Sequence, residues 1–190
     1  MNKFLLMLAF TSALLSNGQN SNSTVAQNDS TQPGVEKFLF KIKAFPFGIE
    51  GEVGLGRTTT LVAEGAFLFG FSVNNEDEFN DEDETDFVWL PWVDLQFRQY
   101  YNFQKRLADG KDIRFNSGNF FALKYLTYFV VGDDDAEENY LSAFGPVWGL
   151  QRNYQEHWNI AFEAGLGAYW NSSGGAAPIP IISFNVGYNF

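Results

Sequence analysis

The chain contains no cysteine and a single histidine, His157, and it carries 12 lysines and arginines against 23 aspartates and glutamates over 190 residues. Without cysteine there is no disulfide framework, no thiol nucleophile and no thiolate metal site. A formal net charge of −11 excludes a general nucleic-acid binder, which must neutralise phosphates. After residue 15 no run of 18 apolar residues occurs, so the later chain offers no candidate for a membrane-spanning helix. Against these shortages stand 21 phenylalanines, 8 tyrosines and 5 tryptophans. The length suits one domain.

Met1-Asn2-Lys3 supplies one positive charge, Phe4 to Leu15 is almost wholly apolar, and Ser16-Asn17-Gly18 places small residues before Gln19. That order reads as a secretory signal peptide over 1–18, cleaved after Gly18. The apolar run is shorter than the roughly 20 residues a spanning helix needs, and no cysteine follows for lipid attachment. Residues 19–34 are rich in Asn, Ser, Thr and Gln without periodicity, the composition of a disordered periplasmic leader. The folded domain is expected over 35–190.

Within that domain the pattern is alternation, the period of a strand. Ile182, Phe184, Val186, Tyr188 and Phe190 share one parity, with Ser183, Asn185, Gly187 and Asn189 on the other. Trp158, Ile160, Phe162, Ala164, Leu166, Ala168 and Trp170 oppose Asn159, Ala161, Glu163, Gly165 and Gly167. Phe121, Leu123, Tyr125, Thr127, Phe129 and Val131 oppose Lys124, and Val93, Leu95, Phe97 and Tyr101 oppose Asp94, Gln96 and Arg98. Leu61, Ala63, Phe67, Phe69 and Phe71 oppose Glu64; Tyr140, Phe144, Trp148 and Leu150 oppose Gly145, Gly149 and Gln151. Phe38, Phe40 and Ile42 oppose Lys41 and Lys43, and Ile49, Val53 and Leu55 oppose Glu50, Glu52 and Gly54.

The reading is all-β, an eight-stranded antiparallel up-and-down transmembrane β-barrel. Charged residues and glycines share one parity. Placing that parity outside would crowd the large aromatics of eight strands into an interior just wide enough for ordinary side chains. The apolar parity is therefore expected to face lipid. Tight connections at 56–58 and 153–156 alternate with longer ones at 74–86, 132–138 and 171–177. The basic connection from Asn102 to Gly118, carrying Lys105, Arg106, Lys111 and Arg114, is a longer exception on the tight side.

The signal segment, the alternating strands and a last strand ending on Phe190 with Tyr188 and Phe184 at alternate positions resemble the small eight-stranded outer-membrane barrel proteins of Gram-negative bacteria. The stretch from Tyr100-Tyr101-Asn102 to Asn116-Ser117-Gly118-Asn119-Phe120 is similar to the basic middle connection of such proteins. The resemblance covers about Lys37 to Phe190. It implies residence in the cell outer membrane as a monomer among outer-membrane lipid, reached through the secretory route. It also implies that Phe184, Tyr188 and Phe190 are the signal read by the barrel-insertion machinery.

Two groups of charges bear on activity. The inward set is Lys41, Lys43, Arg98 and Lys124 against Glu50, Glu52, Glu64, Asp94 and Glu163. If the first hairpin turns around Phe45 to Phe47, Lys43 faces Glu50 and Lys41 faces Glu52, since both pairs sum to 93. Two readings compete here: a plug of ion pairs filling a closed lumen, and a proton or ion pathway with carboxylates in acid–base work. The near balance of sign favours the plug. The other set is Glu76, Asp77, Glu78, Asp81, Glu82, Asp83, Glu84 and Asp86 with Asp133, Asp134, Asp135, Glu137 and Glu138, which makes 13 of the 23 acids. These read either as solvated acidic loops or as weak divalent-cation loops centred on Asp81, Asp83, Asp133, Asp134 and Asp135 that could also meet a cationic surface partner. The run lacks the turn glycine and ligand order of an EF-hand loop.

No catalytic residues, cofactor or confident metal site are expected. His157 falls in a turn, away from the opposite rim, and Gly165-Leu166-Gly167 is not followed by the helix that a nucleotide fingerprint requires. Trp89, Trp92, Trp148, Trp158 and Trp170 suit aromatic girdles near strand ends. The expected role is structural or interactive at the cell surface, with a narrow channel or transporter for small cations as the alternative and a lipid-modifying enzyme third.

Overall fold

A computed structural model of the chain describes residues 34–74, 84–129, 131 and 139–190, for 69–74 and 84–89 as backbone only. The expected signal peptide at 1–18, the leader apart from Gly34, and the acidic residues Glu76, Asp77, Glu78, Asp81, Glu82, Asp83, Asp133, Asp134, Asp135, Glu137 and Glu138 lie outside the described residues.

The described chain is all-β. Eight strands, β1 (Phe38–Phe45), β2 (Phe47–Gly54), β3 (Thr59–Asn74), β4 (Glu84–Tyr100), β5 (Asn119–Phe129), β6 (Tyr140–Tyr154), β7 (Trp158–Asn171) and β8 (Ala176–Asn189), follow one another up and down. Each pairs antiparallel with its neighbour in sequence, and β1 pairs with β8, so the sheet closes on itself in the order β1 to β8. Closure leaves no unpaired edge strand. A short helix, α1 (Phe103–Ala108), and a 3-10 turn at Arg114–Asn116 lie in the β4–β5 connection.

β1 and β2, at 8 residues each, are shorter than the roughly 9–11 residues a tilted membrane strand needs, whereas β3 and β4 run to 16 and 17. The register of the first hairpin also differs from expectation. Lys41 faces Glu50 and Lys43 faces Gly48, because the two-residue turn Phe45-Pro46 leaves Ala44 opposite Phe47. The faces are as expected and the partners are not: a slip of two residues preserves parity, whereas a slip of one would reverse every side chain.

Burial follows the alternation. On β4, Trp92, Asp94, Gln96, Arg98 and Tyr100 are buried inside the ring, while Val93, Leu95 and Phe97 are exposed on its outer surface. The interior thus holds Lys41, Glu52, Arg98 and Glu163, each at most 1% exposed, and the outer surface holds Phe38 at 65%, Ile182 at 64% and Leu166 at 71%. Trp92 is a correction to the girdle expectation. It sits inside against Tyr128, ring centroids 5.4 Å apart, because it shares the parity of Asp94. Thr127, assigned to the apolar outer parity, is buried with Ser142, their hydroxyls 2.9 Å apart.

The connection from Asn102 to Gly118 is no ordinary turn. It folds back onto the end of the ring where β4 finishes, placing Phe103 and Ile113 in one buried cluster with Tyr100 and Phe120, and burying Asn116. Tyr100 stacks on Phe103 at 4.9 Å. Gly118 and Gly149 make this cap possible: a Cβ at Gly118 would stand 2.5 Å from the Phe103 ring, and one at Gly149 would stand 2.3 Å from the Phe120 ring. Gly165 and Gly167 sit against both backbone and side chains, Val147 Cγ1 standing 2.8 Å and Ile181 Cδ1 2.7 Å from where their Cβ atoms would be. A Cβ there would meet the neighbouring backbone, 2.1 Å from the Pro146 carbonyl oxygen and 2.6 Å from that of Phe144.

Candidate functional site: the charged interior

Strand alternation brings all nine inward charges expected from the sequence into one connected cluster. Lys41 Nζ lies 2.6 Å from Glu50 and 3.4 Å from Glu52. Lys43 Nζ bridges Glu50, at 3.0 Å, and Glu64. Arg98 reaches Glu163 at 3.1 Å, Glu50 at 3.6 Å and Glu52 at 3.7 Å. Lys124 Nζ closes the chain with Asp94 at 2.7 Å and Glu163 at 2.5 Å. The two pairs predicted as direct neighbours, Lys43 with Glu50 and Lys41 with Glu52, both form as diagonals of the shifted register, since long side chains span two positions along a strand.

Neutral groups fill the remaining valences, some of them at positions not expected from the sequence. Tyr100 donates its hydroxyl to Glu52 at 2.8 Å, and Thr60 donates to the same oxygen at 2.8 Å. Tyr100, expected in the connection, continues the parity of Asp94, Gln96 and Arg98, and extending that alternation by one step finds it. Gln96 donates to Asp94 at 3.0 Å and accepts from Arg98 Nε at 2.7 Å. Gln151 accepts from Lys41 at 2.9 Å and donates to the backbone carbonyl of Phe115 at 2.8 Å, tying the cluster to the cap. Ser183 donates to Glu163 at 2.9 Å. The Arg98 guanidinium also lies over the Phe120 ring, 4.6 Å from its centroid.

Every strand contributes. Lys41 spans from β1 to Gln151 on β6, and Glu163 on β7 receives Arg98 from β4 and Lys124 from β5, so the bonds cross the ring rather than follow its wall. A charge removed from water costs several kcal/mol unless it is paired and hydrogen-bonded. Here each carboxylate meets at least one cation. Among the described residues no group of three or more His, Asp or Glu is arranged to hold a metal ion.

His157 lies apart from this cluster. In the turn between β6 and β7 it stacks on Tyr188, ring centroids 5.0 Å apart, faces Phe115 at 5.7 Å, and places Nδ1 3.0 Å from the Asn189 carbonyl oxygen. It joins the last strand to the cap. Tyr188 also meets Trp158 edge-on at 5.9 Å and Phe190 at 5.1 Å, so two of the three residues assigned to the insertion signal belong to one aromatic cluster. Phe184, the third, is exposed on the outer surface of β8.

Comparison of the chain with family models, with curated proteins and with solved structures finds no match in any of the three.

Proposed function

We propose that this chain is an integral outer-membrane protein of the Gram-negative type, a monomeric transmembrane barrel with a closed, ion-paired lumen and acidic outer loops. Its role on this reading is structural or interactive at the cell surface. One observation carries the proposal: the described ring is inverted relative to a water-soluble one. Nine charged side chains are sequestered inside, while Phe38, Phe47, Ile49, Leu95, Phe97, Phe121, Leu123, Leu166 and Ile182 stand exposed outside. A soluble monomer rarely exposes a contiguous apolar patch beyond a few hundred Å². A hydrocarbon solvent makes such a surface favourable, at about 1.5–3 kcal/mol per large side chain removed from water.

Two further features support the reading. Tyr101, Tyr154, Trp158, Tyr188 and Phe190 are exposed around the end of the ring that carries the cap, which suits an aromatic girdle at a membrane interface. Closure of β1 on β8 satisfies the backbone bonds that lipid cannot. β3 ends and β4 begins away from the cap, and the acidic sequence between them, with that between β5 and β6, is where the weak divalent-cation or cationic-partner reading is to be tested. Fractionation with gel electrophoresis tests the whole proposal: the protein should partition with outer membrane and migrate faster unboiled than boiled. Recovery as a soluble periplasmic protein would overturn it. Single-channel recording separates the plug from a small-cation channel, and the plug requires conductance at background.

A further inference from the structure

The interior does not balance. Among the described residues it contains five carboxylates, Glu50, Glu52, Glu64, Asp94 and Glu163, and four cations, Lys41, Lys43, Arg98 and Lys124. The shortfall is unevenly distributed. Glu50 meets three cations, and Glu52 and Glu163 meet two each. Glu64 meets only Lys43, which it shares with Glu50, and Asp94 meets only Lys124, which it shares with Glu163. These two poorly compensated acids face each other directly across β3 and β4. Glu50 faces Glu64 from the other side, on β2, so three acids stand in one row.

A second observation points to the same place. Asp94 is 1% exposed, and its Oδ1 has no hydrogen-bond partner among the described residues, while its Oδ2 takes Lys124 and Gln96. A buried, ionised oxygen without a donor is costly. Like-charged carboxylates directly opposite each other are destabilising, and a pair forced into one site shares a proton rather than ionising twice. The next inward positions beyond the pair are Ala66 and Trp92, the latter packed on Tyr128, so apolar groups lie on one side of it.

We propose that Glu64 and Asp94 together hold one proton at neutral pH, a proton-binding site that makes the charged cluster of the interior electrically neutral. The proton supplies the missing fifth positive charge and gives the unpartnered carboxyl region a donor. The groups facing the pair are Glu50 on β2, Lys43 on β1, Gln96 on β4, Lys124 and Tyr128 on β5, and Glu163 on β7. The proposal rests on the interior alone and does not require the membrane reading.

Infrared difference spectroscopy of the full chain in detergent, recorded across pH, tests it. The wild-type protein should show the carbonyl stretch of one protonated side-chain carboxyl at pH 7. Glu64→Gln and Asp94→Asn each restore four acids against four bases, so both should lose that band while still migrating as folded protein on unboiled gels. Absence of the band from the wild type, a measurement that needs no variant, would overturn the proposal. Retention of the band in either folded variant would overturn it as well.

Discussion

Arg98 touches more of the interior than any other cation, reaching Glu50, Glu52 and Glu163 while lying over Phe120. Removing one partner from a buried ionic cluster leaves uncompensated charge, which costs about 3–5 kcal/mol. Arg98→Met is therefore expected to lower unfolding stability by that amount in a urea titration monitored by tryptophan fluorescence. Gly149 is a test of shape rather than charge. A methyl group there would overlap the Phe120 ring, and that ring is held between Arg98 and Tyr100. Gly149→Ala should destabilise by about 1–3 kcal/mol, the usual cost of overpacking, whereas Gly51→Ala, where a Cβ meets nothing within 4 Å, should be tolerated in the same titration.

At the scale of elements, the cap over residues 102–118 depends on a few polar ties to the ring. Gln151 donates to the Phe115 carbonyl, Arg152 to the Gly118 carbonyl at 2.9 Å, and the Glu36 amide donates to Asn116 Oδ1 at 2.8 Å. Gln151→Ala removes the tie between cap and interior and strips Lys41 of an acceptor. Hydrogen exchange should then quicken at the amides of the cap, such as Ser117, which bonds Ile113 and Arg114, while the β3–β4 ladder keeps its protection. At the turn before β7, His157→Ala removes the stack on Tyr188. The expected outcome is faster exchange in the last residues of β8 with the rest of the ring unchanged.

For the whole molecule, the decisive property is the inversion of polarity across the wall. Leu123, half-exposed on the outer surface of β5, neighbours Lys124 facing inward; one residue separates the two environments. An arginine on the lipid face of a barrel near the bilayer midplane costs about 2–4 kcal/mol. Leu123→Arg should therefore lower folding yield into lipid vesicles, read as loss of the fast-migrating band on unboiled gels. A ring that instead exposes this surface to water should tolerate the change with no loss of folded protein.

The amino-acid order by itself determined, with exceptions such as Thr127, which residues face in and which face out, since a period of two leaves only two faces and charge with glycine marks one of them. Eight strands, their antiparallel succession and the membership of the nine-residue cluster followed from that pattern. Other features depended on contacts between segments distant in the chain. Parity is blind to a slip of two, so the Lys41–Glu50 pairing waited for the turn at Pro46. No local pattern in 102–118 announces that Phe103 and Ile113 pack onto a ring end, because their partners, Tyr100 and Phe120, meet them only after β4 and β5 pair. Trp92 could not be separated from the girdle by residue type, although its parity with Asp94 already marked it as inward, and the structure packs it on Tyr128. Composition counts charges, but it took the closed sheet to show which acids share cations, and so to leave Glu64 and Asp94 opposite each other with the fewest.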